Sequence, residues 1–109
     1  MYTDLHNHCL PEVDDGADSM EESLQMLRIS EKNGVHQIIA TPHYHYRRGH
    51  APAERIRQKV CDLNEEAAEQ GIGVTVFPGN EICYCHDIVE LLEAGKVLTM
   101  AGSRYVLVE

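Results

Sequence analysis

Short strand-like runs alternate with helix-spaced apolar stripes along this chain, and that alternation leaves few folds open to it. Tyr2 to His6 reads as a first strand. Pro11 to Ala17, with its Asp-Asp-Gly, reads as a loop. Ser19-Met20-Glu21-Glu22 has the S-x-x-E form of a capping box, which satisfies orphan amides at a helix start. Met20, Leu24 and Leu27 follow at i, i+4, i+7 spacing, and Gly34 can close that helix. His36 to Ala40 predicts a second strand, ending at Thr41-Pro42-His43 because proline cannot continue a central ladder. A polar loop is expected from Tyr44 to Gly49. Pro52 is well placed near a helix start, and Ile56, Val60, Leu63 and Ala67 form one stripe that Gly71 ends. Val74 to Phe77 predicts a third strand, stopped by Pro78-Gly79. A short helix is expected from about Asp87 to Glu93, with Gly95 behind it, and a fourth strand from Tyr105 to Val108.

Strands separated by helices imply βαβ units and a parallel sheet, an α/β fold. Right-handed crossovers then put the C-terminal ends of all four strands on one edge. A chain of 109 residues, 43% hydrophobic and 25% charged, suits one small domain or part of a larger one. It has no apolar run long enough to cross a membrane, and its start lacks the basic and apolar regions of a signal peptide. Cysteines 9, 61, 83 and 85 have neither zinc-ribbon nor CxxC spacing, so reduced thiols in a cytoplasmic protein are expected. The net charge of -9 argues against nonspecific nucleic-acid binding. It does not exclude an anionic substrate, because bound divalent cations can reverse the local field.

The chemistry is concentrated where the strands run out. In Asp4-Leu5-His6-Asn7-His8 the two histidines are two residues apart, so on a strand they share a face and converge. Asp14-Asp15 lies in the following loop, His43 ends the second strand, Glu81 follows the third and Glu109 ends the fourth. Nitrogen and oxygen donors collected on one edge suit more than one borderline or hard divalent ion, such as zinc, manganese or iron. Glu81 is a natural bridge between two ions, the usual logic of metallophosphatases. Each residue also has a duller reading. The aspartates can shape a turn, His43 can satisfy a carbonyl, and Glu81 and Glu109 can be solvated strand ends. His36 and His86 have no comparable setting. The loop after the second strand carries Tyr46, Arg47 and Arg48, of which the arginines suit phosphate and the tyrosine suits an aromatic ring, if they are more than a solvated basic loop.

Taken together, D-L-H-N-H, L-P-E-V-D-D-G-A, I-I-A-T-P-H, G-N-E-I and S-R-Y-V-L-V-E resemble, in order from residue 4 to residue 109, the bacterial capsular-polysaccharide tyrosine phosphatases of the PHP superfamily. The resemblance implies a distorted β/α, TIM-like barrel with a trinuclear centre, usually manganese, with iron or zinc as alternatives. It carries over His6, His8, Asp15, His43, Glu81 and Glu109 as ligands, the choice of Asp15 over Asp14 coming from the second aspartate of the D-D-G block. It implies hydrolysis of phosphotyrosine by metal-activated water, with no cysteine nucleophile, on a protein substrate such as a bacterial tyrosine kinase. Neither nucleic acid nor membrane insertion is implied.

Such enzymes are roughly twice as long, since a barrel of this kind runs to about 250 residues. The expectation is therefore that residues 1–109 are the N-terminal portion of a PHP domain, forming a homo-oligomer with weak or no activity. Two other readings stand beside it: a histidinol-phosphate-type small-molecule phosphoesterase, and a non-catalytic metal-binding or dimerisation module.

Overall fold

The computed structural model describes residues 2–14, 16–45 and 49–109. Strand β1 (Tyr2–Asn7) leads through a long loop to helix α1 (Met20–Lys32) and strand β2 (Val35–Ala40). Strands β3 (His43–His45) and β4 (Gly49–His50) precede helix α2 (Ala53–Glu69). Strands β5 (Thr75–Pro78) and β6 (Glu81–Ile82), helix α3 (Ile88–Glu93), a 3₁₀ turn (Met100–Gly102) and strand β7 (Leu107–Val108) complete the order.

The strands form two ladders. In the first, β1, β2 and β5 lie side by side and all run parallel, with Ile38 opposite both Asp4 and Val76. In the second, the order is β4-β3-β6-β7, parallel except for the antiparallel β3–β4 pair. The fold is mixed α/β with parallel strands, as the alternation predicts.

Proline explains why there are two ladders. Pro42 follows β2 and Pro78 closes β5 opposite Ala40, and pairing resumes beyond them where His43 pairs with Glu81 and Glu81 with Leu107. Buried polar groups span the break. Thr41 N donates to the Asn7 carbonyl at 2.8 Å, and Glu81 N donates to the Pro42 carbonyl at 2.9 Å. The fully buried Asn80 donates to that same carbonyl at 3.0 Å and accepts from Leu98 N at 2.8 Å.

The helices cover the first ladder. Ser19 caps α1 by accepting from Glu22 N at 3.2 Å, and Leu24 and Leu27 face inward. Ile56, Val60, Leu63 and Ala67 are the buried stripe of α2. With Ile38, Ala40, Val74 and Val76 they form the main core, which Cys9 and Leu10 extend. Asn64 fastens α2 to β5: its amide donates to the Val76 carbonyl and accepts from Val76 N, both at 2.9 Å. The side chain thus supplies what a further strand would give to β5 on its outer edge. A smaller cluster of Tyr44, Ile82 and Val97, packed with Leu91, Leu92 and Val106, supports the second ladder.

Two expectations are corrected. The segment read as a polar loop from residue 44 contains β3 and β4, because Tyr44 is buried and its ring lies 3.9 Å from that of His50. The fourth strand is shorter than expected. Tyr105 turns its carbonyl back to Met100 N at 2.9 Å, so only Leu107 and Val108 remain to pair.

Candidate metal centre

Five of the residues singled out in the sequence come together at the end of the strands. His6 lies one residue before the end of β1, His8 follows the strand, His43 opens β3, Glu81 opens β6 and Glu109 follows β7. Glu81 stands at the middle. Its Oε1 lies 3.2 Å from His6 Nε2, 3.1 Å from His8 Nε2 and 3.2 Å from His43 Nδ1. The residue is only 8% exposed, and Oε1 accepts no hydrogen bond among the described residues. Glu109 Oε2 is 3.8 Å from His43 Nδ1. The rings of His8 and His43 are stacked with centroids 4.6 Å apart, and His6 meets His8 edge-on at 5.3 Å.

A buried carboxylate oxygen that faces three imidazole nitrogens and accepts no hydrogen bond among the described residues is an arrangement that a cation would complete. Unpaired buried charge is costly, so such a set is stable with a cation among its donors. The donor chemistry agrees: imidazole with carboxylate suits zinc, manganese or iron. Two sets of three donors meet at Glu81, namely His6, His8 and Glu81, and His43, Glu81 and Glu109, so this carboxylate is common to both.

The loop after β1 is held against the cluster by Asp14. Its Oδ2 lies 2.8 Å from His8 Nδ1 and accepts from His43 N at 3.1 Å, while Oδ1 accepts from Gly16 N at 2.9 Å. A carboxylate only accepts, so His8 carries its proton on Nδ1 in that bond and turns Nε2 toward Glu81. His8, Asp14 and His43 also form a third set of donors with metal-like spacing. Gly16 is required by closeness: a Cβ there would collide with the His8 carbonyl. On β1, Asp4 accepts from His6 N at 3.1 Å and from the Asn7 amide at 2.8 Å, tying down the strand end at which the two histidines lie.

Asp15, Tyr46, Arg47 and Arg48 lie outside the described residues. A cavity of about 980 Å³ opens beside the cluster, lined by His43, Glu109, Tyr44, His50 and Arg55 among others. Sequence reasoning missed Arg55, Asp4 and the reach of Asp14 to His8. The only local signal for the last was the Asp-Asp-Gly turn itself.

Cys9, next to His8, is fully buried. Burial pushes its thiol up to about 12, and the nearby charges of Asp4 and Asp14 add to the effect against a backbone hydrogen bond that lowers it. All four cysteines are free thiols. No helix among the described residues is long and apolar enough to cross a membrane.

Comparison with known proteins gives a consistent result. The family described as capsular polysaccharide synthesis, CpsB/CapC, matches residues 2–109. The tyrosine-protein phosphatase CpsB of Streptococcus pneumoniae is 36% identical over 106 residues, which cover 97% of this chain and 44% of that protein. The tyrosine-protein phosphatase YwqE of Bacillus subtilis is 31% identical over 106 residues, 97% of this chain and 42% of that one. A chain from the crystal structures of YwqE and CpsB, metal-dependent tyrosine phosphatases, superposes with a TM-score of 0.94 at 30% identity. It covers 98% of this chain, which in turn spans 43% of that longer one.

Proposed function

The chain belongs to the CpsB/CapC capsular polysaccharide synthesis family, and from that premise we propose that it provides the metal-binding part of a metal-dependent phosphotyrosine protein phosphatase. The observation that carries the reading is Glu81 Oε1, buried, accepting no hydrogen bond among the described residues and ringed by three imidazole nitrogens at 3.1 to 3.2 Å.

In this proposal His6, His8 and Glu81 hold one divalent ion and His43, Glu81 and Glu109 a second, with manganese the expected metal. Asp15 joins as a ligand on the strength of the resemblance. Bound ions would supply Lewis-acid polarisation of the phosphoryl group and acidify water near neutral pH. The chain's own residues do the positioning. Asp14 fixes the His8 ring, the β3–β6 and β6–β7 ladders set the spacing of His43, Glu81 and Glu109, and the cavity beside them admits the substrate. Arg47, Arg48 and Tyr46 are proposed to grip the phosphate and the aromatic ring. A phosphotyrosine protein, such as a bacterial tyrosine kinase of capsule synthesis, is the proposed substrate. Free thiols throughout support a cytoplasmic location.

The parallel units are further proposed to form the N-terminal portion of a PHP-type distorted β/α barrel, supported by the superposition onto part of a longer chain. The test is manganese stoichiometry by elemental analysis, followed by turnover of an aryl phosphate and a phosphotyrosine peptide. Bound manganese with turnover supports the reading. Manganese without turnover supports a metal-binding module, and turnover of histidinol phosphate alone supports the small-molecule phosphoesterase.

A further inference from the structure

The cavity beside the histidine cluster also carries a cation that the cluster does not use. Arg55, in the first turn of α2, lines this cavity together with His43 and Glu109. Its Nη2 donates to the Glu12 carbonyl at 3.3 Å, and it forms no ion pair among the described residues. The carboxylate of Asp14, in the same wall, is already engaged by His8, His43 N and Gly16 N. Glu12 lends Arg55 its carbonyl rather than its carboxylate. A guanidinium has five N–H donors in a planar fork, so most of the fork remains available to a ligand in the cavity.

In a chain of net charge -9, an arginine in this cavity that forms no ion pair among the described residues is a selective feature of the wall. Arg55 and His43 line the same cavity, and a guanidinium recognises a carboxylate in bidentate fashion. We propose that Arg55 is a specificity-determining residue that binds a carboxylate flanking the phosphotyrosine, so that the cavity selects phosphotyrosine segments with an adjacent acid. The inference rests on the phosphatase reading above. The carboxylate has two sources, an Asp or Glu side chain or the end of a peptide chain.

The experiment is a fluorescence-anisotropy titration of the manganese-loaded protein with three phosphotyrosine peptides of one sequence. One has Glu beside the phosphotyrosine and an amidated end, the second has Gln there and an amidated end, and the third has Gln and a free terminal carboxylate next to the phosphotyrosine. The expected result is that a carboxylate-bearing peptide binds roughly fivefold more tightly than the neutral one, as for a favourable exposed ion pair. Tighter binding of the first peptide identifies a side chain as the source, and of the third a chain terminus. Arg55→Ala should erase the preference and Arg55→Glu should reverse it, with manganese affinity by calorimetry unchanged in both. Equal binding of all three peptides, or a preference that survives Arg55→Ala, overturns the role of Arg55 and not the phosphatase reading. Failure of every peptide to bind the manganese-loaded protein overturns both.

Discussion

His8 Nδ1 lies 2.8 Å from Asp14 Oδ2, and that carboxylate also accepts from the backbone of His43, 29 residues further on. One side chain therefore sets the orientation of one candidate ligand and the position of another. A carboxylate behind a metal-binding imidazole typically changes metal affinity 10- to 100-fold. Asp14→Asn is expected to weaken manganese binding by about tenfold while the fold persists, as read by calorimetry beside circular dichroism. Asp15→Asn is expected to lose an ion outright. Full metal content in Asp15→Asn with none in Asp14→Asn would exchange the two roles.

Replacing His6 or His8 by Ala should lower the manganese stoichiometry, because both nitrogens face the same oxygen of Glu81. Elemental analysis of the two variants checks this, and unchanged metal in both would remove them as ligands.

Glu81→Gln should have opposite effects on the metal-free and metal-loaded protein. The buried Oε1 accepts no hydrogen bond among the described residues, so a neutral amide there removes a costly buried charge and the metal-free melting temperature should stay the same or rise. The rise in melting temperature caused by manganese should disappear with the ligand. Thermal scans of both proteins with and without manganese separate this from simple damage to the fold, which would lower the metal-free value.

The alternation of strands with helices and the helix stripes were legible because they rest on local periodicity. Leu24 and Leu27 of α1, and Ile56 through Ala67 of α2, are buried as their spacing requires. The five side chains that the structure gathers were legible as candidates because each lies at or just past the end of a predicted strand. The pairing of β3 with β4 was not, since His43-Tyr44-His45 has no apolar alternation and its one buried ring packs against His50 of β4. Contacts such as Asp14 with His43, or Asn64 with Val76, depend on how distant segments meet, and no local pattern records them.

Asn64→Ala should destabilise the protein by about 2 kcal/mol, because it leaves the Val76 N–H and C=O without partners in a part-buried place. Urea unfolding at neutral pH measures this, and a change below about 0.5 kcal/mol would mean that water replaces the amide.

Cys9 should resist alkylation at pH 8 in the folded protein, while the exposed Cys61 reacts. The thiol rises from 9.0 to about 12 on folding, so between these values the unfolded chain has lost a proton that the folded one keeps. Stability from this group is full below pH 9 and falls as pH rises toward 12. Mass spectrometry of iodoacetamide-treated protein and melting temperatures at alkaline pH test the two halves. Labelling of Cys9 as fast as Cys61 would contradict its burial.

The proline breaks give the molecule a seam. His6 and His8 belong to the end of the ladder that rests on the large core, whereas His43, Glu81 and Glu109 belong to the ladder that rests on the smaller cluster. Hydrogen bonds through Thr41, Pro42 and Asn80 stitch the two sides. An ion shared by His6, His8 and Glu81 would be a rivet across that seam. Its grip would then be a measure of mechanical coupling as much as of chemistry, with the weaker layer loosening first whenever the rivet is withdrawn.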